Sequence, residues 1–218
     1  MIRSDASVIL AKSPYFSKQN LSLILGKDRD SLDYWIKTLL SDGRLIALKN
    51  GFYISRDYLT ALSFDPDRRE KYLACLANIL RYPSYVSLEY VLSRNNVIPE
   101  AVSALTSVTS KSSRSFGTPL GLFTYRTLKE SLFWGYDLTD FQGNKVKIAS
   151  RSKALFDFLY LRRFASPQAM NEYLTRGSRI NWNVLTNKDK REFKQIASRS
   201  NSRKLDTIVS FLTREGIL

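Results

Sequence analysis

Apolar residues recur at helical spacing along most of the chain, interrupted by short stretches in which they alternate. Ser4 is placed to cap a first helix, Asp5–Lys12, which Ser13-Pro14 ends. Ser17 caps a second, Lys18–Leu25, with Leu21, Ile24 and Leu25 inward and Gly26 closing it. A third starts from Asp28 or Asp30 and covers about Ser31–Ser41. Its Leu32, Ile36, Leu39 and Leu40 fall at i, i+4, i+7 and i+8, a single buried stripe that Asp42-Gly43 terminates. Two apolar strands then flank Asn50-Gly51, a dipeptide favoured in two-residue hairpins because both turn residues need positive φ. Three short helices followed by a hairpin is the winged helix-turn-helix layout.

Asp65-Pro66-Asp67 reads as a joint, and Arg68–Leu80 as a helix with Tyr72, Leu76, Ile79 and Leu80 on one side. Ser84–Tyr136 is the most organised stretch. Ser87 caps a helix at Leu88–Ser93, Asn95-Asn96 and Pro99 break it, and a short apolar helix around Ala101–Leu105 follows. Thr106–Ser110 alternates as a strand, Lys111–Ser113 is polar turn chemistry, and Gly117–Gly121 is a tight turn in which Gly121 takes positive φ. Leu122–Arg126 returns with Phe123 and Tyr125 on one face, ahead of the aromatic segment Phe133–Tyr136. Asp137–Lys145 is loop-like and Val146–Ala149 a short strand. Ser150 caps a helix, Arg151–Arg163, and three helices follow: Ser166-Pro167 to Arg176, Thr186 to Ser200, and Ser202 to Glu215. The expected fold class is α+β: a winged helix-turn-helix over residues 1–60, then over 66–218 a mixed α/β domain with a small antiparallel sheet and C-terminal helices.

Composition narrows the chemistry. The 218 residues, 44% hydrophobic and 25% charged, suffice for a substantial core. No apolar run approaches the ~18–20 residues that span a membrane, and no apolar h-region follows Met1–Asp5, so a cytoplasmic protein without a membrane partner is expected. Histidine is absent, which removes the commonest general base and metal ligand. The single cysteine, Cys75, excludes an intrachain disulfide and sits in the apolar helical run Tyr72–Ala77 as a core thiol. Glu89, Glu100, Glu130, Asp137, Asp140 and Asp157 follow no metal-nuclease spacing, and neither a phosphate loop nor a dinucleotide fingerprint is present. A protein without catalysis, cofactor or metal is expected; a metal-dependent nucleic-acid-processing enzyme is the alternative in the enzyme class.

Charge points towards polyanions. The net charge is +14, of which residues 146–218 contribute +9 from 15 basic and 6 acidic side chains. Nucleic acid satisfies such an excess, and so does an acidic protein. On the third helix, the face opposite the core stripe carries Asp30, Tyr34, Lys37, Thr38 and Ser41, with Arg29 at its leading end; Lys49 and Asn50 sit at the wing tip. These residues are the candidates for DNA contact, with protein docking through the same face as the alternative. Asp33 opposes phosphate unless a capping interaction occupies it. Lys188, Lys190, Arg191, Lys194, Arg199, Arg203 and Lys204 form an auxiliary basic set with three open readings: a solvated surface, phosphate contact, or docking of an acidic partner.

Five short pieces recur in order at close spacing: Tyr85-x-Ser87-Leu88-Glu89, Ile98-Pro99-Glu100, Thr106-Ser107-Val108-Thr109, Phe116-x-Thr118-Pro119-x-Gly121-x-Phe123-x-Tyr125-Arg126, and Phe133-x-Gly135-Tyr136. Together they resemble the AbiEi-type antitoxins of type IV toxin–antitoxin systems, as do the wing segment Gly43–Tyr53 and Lys153-Ala154-Leu155-x-Asp157. The resemblance implies a repressor that binds double-stranded DNA at its own promoter. It also implies a nucleotidyltransferase-type toxin, counteracted without requiring a stable complex. This chain departs from the family pattern at Ala47, where many members carry a basic wing residue, and at Arg151-Ser152, where a Pro-Glu pair is common. A winged-helix transcription regulator without a toxin partner is the alternative.

Overall fold

The computed structural model describes residues 4–218, apart from the side chains of Ser4, Asp5 and Arg29. The cap expected of Ser4 and the DNA contact expected of Arg29 therefore lie outside the described residues. The first part runs α1 (Ser4–Lys12), β1 (Phe16–Ser17), α2 (Lys18–Leu25), α3 (Arg29–Ser41), β2 (Leu45–Lys49) and β3 (Phe52–Ser55). Ser17 and Asn20 cap α2 reciprocally, each side-chain oxygen accepting the other's backbone N–H, and Gly26 closes the helix at φ +60. Asp28 rather than Asp30 caps α3, accepting from the Ser31 N–H at 3.0 Å. Hydrogen bonds from the Ser31 hydroxyl and N–H hold the Asp28 carboxyl below the usual carboxylate range.

The hairpin turns at Asn50-Gly51, but only Gly51 takes positive φ, at +75, which corrects the expectation of two left-handed residues. The register slips by one between Ala47 and Lys49, and that bulge supplies twist in place of the second residue. β1 adds to β3, giving the antiparallel order β1-β3-β2. One face of this sheet closes a small core of Leu10, Phe16, Leu21, Leu32, Ile36, Leu39 and Leu45. From the other face Leu48 and Ile54 enter the main core of the molecule. The small sheet is thus buried on both sides.

An additional helix, α4 (Arg56–Leu62), follows directly, capped by Ser55 and burying Tyr58 and Leu62. Asp65-Pro66-Asp67 is a helix start: Asp65 accepts from the Arg68 N–H at 2.9 Å and Pro66 opens α5 (Pro66–Leu80). Then come β4 (Ser84–Val86), α6 (Leu88–Arg94), β5 (Leu105–Thr109), β6 (Arg114–Thr118), β7 (Gly121–Thr127), β8 (Tyr136–Phe141) and β9 (Asn144–Ala149). The chain ends in α7 (Arg151–Leu161), α8 (Pro167–Glu172), α9 (Asn187–Arg199) and α10 (Arg203–Arg214). The six strands form one sheet ordered β6-β7-β5-β4-β9-β8. It is mixed: β5–β7 and β4–β9 are parallel and the other neighbours antiparallel, which replaces the expected small antiparallel sheet.

Strand alternation sets what covers the sheet. Within β4, the Ser84 hydroxyl donates to the Ala77 carbonyl of α5 at 3.3 Å, while the next residue, Tyr85, donates to Asp157 of α7 at 2.9 Å. α5 therefore packs on one face and α7 on the other. Phe123 and Tyr125 are buried as the alternation in β7 requires, and Gly121 has positive φ, +119.

Five further expectations are corrected. Residues 101–104 form no helix, because Leu105 is drawn into β5 opposite Phe123. Asp137–Lys145 is a hairpin: β8 pairs with β9 across Gln142-Gly143, both at positive φ, so edge pairing overrides a polar composition. Ser87 makes no capping bond to α6 and donates instead to Asp157 at 2.8 Å. α7 stops at Leu161, and the helix begun at Pro167 gives way after Glu172 to a π-turn over Tyr173–Gly177. Among the described residues the fold is a mixed α/β arrangement of ten α-helices and two sheets. No helix among them is long and apolar enough to cross a membrane.

Candidate nucleic-acid interface

α3 packs through Leu32, Ile36 and Leu39, all at most 4% exposed, and this fixes what it presents outward. Asp30, Tyr34, Lys37 and Ser41 are exposed and Thr38 is half-buried, so the outward face forms as the helical period requires. Tyr34 is 67% exposed, with its ring edge-on to Trp35. The Thr38 hydroxyl donates to the Tyr34 carbonyl at 3.0 Å and the Ser41 hydroxyl to the Thr38 carbonyl at 2.8 Å. Their protons are spent inside the helix, which leaves them to act as acceptors. The Lys37 ammonium and the Tyr34 hydroxyl have no hydrogen-bond partner among the described residues, and they carry the donor capacity of this face. Asp33 is occupied by Lys18, at 2.6 Å, which offsets its charge; both groups are well exposed, so the pair adds little stability.

The tip of the β2–β3 hairpin, the expected wing, is less free than its sequence position implies. Asn50 is exposed, but the Lys49 ammonium donates to the Leu80 carbonyl at the end of α5 at 2.7 Å. It also lies over the rings of Phe52 and Phe116, 4.3 and 5.5 Å from their centroids. Burial, then the nearby Arg114, Arg81 and Lys111, push its pKa down. Lys49 thus ties the β2–β3 hairpin to the central sheet, in addition to any role towards a ligand.

No protein-family model and no curated protein matches the chain.

The auxiliary basic set divides. The Lys204 ammonium donates to the Tyr160 carbonyl and, at 2.8 Å, to that of Arg162, satisfying groups at the end of α7; burial lowers its pKa. Lys190 donates to the Ile217 carbonyl, and the Arg199 guanidinium stacks 4.4 Å above the Trp134 ring. These three fasten the C-terminal helices. Lys188, Arg191 and Arg203 remain exposed, and Lys194 is half-buried. A run that reads as one patch in sequence is thus part internal bracing and part surface.

Two groupings escape a linear reading. The first is the set around Lys49, drawn from three separate segments with no local signal. The second is a buried ion pair: the Lys153 ammonium meets Asp157 at 2.6 Å, both side chains 0% exposed. Asp157 also accepts from Tyr85 and Ser87, and Lys153 donates to the Leu132 carbonyl at 3.1 Å. Burial raises the Asp157 carboxyl and lowers the Lys153 ammonium, against their mutual attraction. Two opposite charges four residues apart in a largely apolar helix are the signal in sequence. The pair joins α7, β4 and the aromatic segment, sealed from solvent. Elsewhere Glu89, Arg126, Arg162 and Arg163 line an open cavity of about 410 Å³. No group of three or more potential metal ligands occurs among the described residues.

Proposed function

We propose that this chain is a DNA-binding regulator with a winged helix-turn-helix over residues 1–60, that it represses its own promoter, and that it counteracts a nucleotidyltransferase-type toxin. The observation that carries the DNA half is α3 itself. It is anchored on three apolar side chains, opened by a capped turn after α2, and followed by a hairpin, with Tyr34 and Lys37 free on its outward face. A major-groove helix needs such donors on a rigid support, since base edges are read by hydrogen bonds. The +14 net charge supplies the sequence-independent attraction. The toxin half rests on the resemblance of the central stretch to AbiEi-type antitoxins.

The test is fluorescence-anisotropy binding to the duplex upstream of the chain's own coding sequence against a scrambled duplex. A preference of ~10³ or more for the native sequence is expected, and its loss in Lys37→Ala or Tyr34→Ala. Equal binding of the two duplexes would overturn the operator. Co-expression with an adjacent nucleotidyltransferase-type toxin tests the other half through rescued growth.

A further inference from the structure

Where the wing meets the central sheet, four cations gather. Lys49 arrives from the end of β2, Arg81 from the end of α5, Lys111 from the β5–β6 connection and Arg114 from the start of β6. Arg81, Lys111 and Arg114 all lie near enough to destabilise the charged form of the Lys49 ammonium. None of the four is in an ion pair among the described residues. Lys49, Arg81 and Arg114 are nevertheless held in place. The Arg81 guanidinium donates to the carbonyl and hydroxyl of Ser112 at 2.7 and 2.8 Å, while its Nε is shut off from solvent without a partner. Arg114 lies over the Phe116 ring at 5.2 Å, on the ring that Lys49 also approaches.

Like charges so placed repel, and the repulsion is relieved by an anion seated among them. Phosphate matches what is exposed: Lys111 and Arg114 point their charge to solvent beside the wing tip, where Asn50 is exposed too. An acidic protein is a poorer match, because a protein interface needs an apolar centre and the Phe116 ring is already covered by cations. A winged helix lays its hairpin along the DNA backbone, so a duplex bound by α3 and the wing is carried on towards β6.

We propose that the joint between wing and central sheet is a second contact site for the phosphate backbone of duplex DNA. Lys111 and Arg114 bind phosphates, and Lys49 and Arg81 hold the site's shape and charge. The proposal rests on the DNA-binding reading above, yet it predicts a contact without sequence readout, and that separates the two.

The experiment measures affinity of the full chain for the upstream duplex and for its scramble between about 50 and about 200 mM salt, comparing the parent with Lys111→Gln/Arg114→Gln. Both side chains are exposed, so folding is preserved, and the unchanged far-UV circular dichroism of the variant verifies this. Losing two phosphate contacts flattens the log–log salt slope by about 1.8, so the fourfold salt rise costs the variant about 12-fold less affinity than it costs the parent. The same change is expected on both duplexes, leaving the preference between them intact. Lys37→Ala shows the reverse pattern, a lost preference with a nearly unchanged slope. A parental slope in the double variant overturns the joint site while leaving the α3 reading standing. An equal loss on heparin, a polyanion without duplex geometry, would make the cluster a general polyanion surface and overturn the assignment to DNA.

Discussion

Replacing Asp157 by leucine removes the acceptor on which the centre of the main core converges. In the parent its carboxylate takes hydrogen bonds from Lys153, Tyr85 and Ser87 at 2.6, 2.9 and 2.8 Å. Without it, a fully buried ammonium keeps only the Leu132 carbonyl, and two buried hydroxyls lose their acceptor. Removing one partner of a buried pair costs about 3–5 kcal/mol, and an unsatisfied buried hydroxyl about 1–3 kcal/mol. The groups share one site, so these do not simply add; about 5 kcal/mol is expected, a large part of the ~5–15 kcal/mol that holds a typical domain. Lys153→Met/Asp157→Leu removes the stranded charge as well and leaves only the two hydroxyls, about 1–3 kcal/mol each before the coupling between them. The double variant should therefore be more stable than the single. Urea titrations followed by far-UV circular dichroism and tryptophan fluorescence measure both, with the Trp134 ring only 5.7 Å from the Lys153 ammonium as a local reporter. If Asp157→Leu unfolds within about 1 kcal/mol of the parent, or the double variant is no more stable than the single, the account of this core is wrong.

Two other consequences can be measured directly. Gly135 has φ +78, and a Cβ there would lie 3.3 Å from Lys153 Cδ; Gly135→Ala should cost at least the ~1–2 kcal/mol of a left-handed alanine, lowering Tm by roughly 2–8 °C in a scanning experiment. Burial pushes the Cys75 thiol up to about 11 from an unperturbed 9.0. The unfolded chain therefore loses that proton first: the stabilisation is complete below pH ~9 and drains away towards pH ~11, by about 3 kcal/mol in all. Buried Tyr72, Tyr85 and Tyr125, all raised by burial, steepen the fall at the alkaline end. A urea midpoint that stays flat from about pH 8 to about pH 11 would contradict this, and Cys75→Ala should remove the part of the slope that begins first.

Much of the secondary structure was legible because its causes are local. Ser17 and Ser150 sit where a side-chain oxygen meets a helix's free N–H groups, and those helices begin where the caps say; Asp28 was one of two candidate caps, and α3 starts at Arg29, ahead of the expected Ser31. The stripe on α3 likewise told which of its residues face out. The misreadings share another cause. β8 reads as a loop in sequence because an edge strand needs only a partner, β9, and no apolar pattern of its own. Ser87 looked like a cap because its acceptor, Asp157, is 70 residues away. Lys49 looked like a free wing-tip cation because nothing in its neighbourhood announces the Leu80 carbonyl.

By itself, then, the sequence determined the periodic elements, the outward residues of α3, the absence of histidine chemistry and the positive charge. All of these follow from interactions within a few residues or from counting. Tertiary structure alone decided which charges are available. It placed Lys190 and Lys204 on carbonyls of distant segments, sealed Lys153 with Asp157, and brought Lys111, Arg81 and Arg114 around Lys49. A cation's partner is set by whichever group the folded chain brings within about 3 Å, and over such sequence separations that distance is a property of the packing.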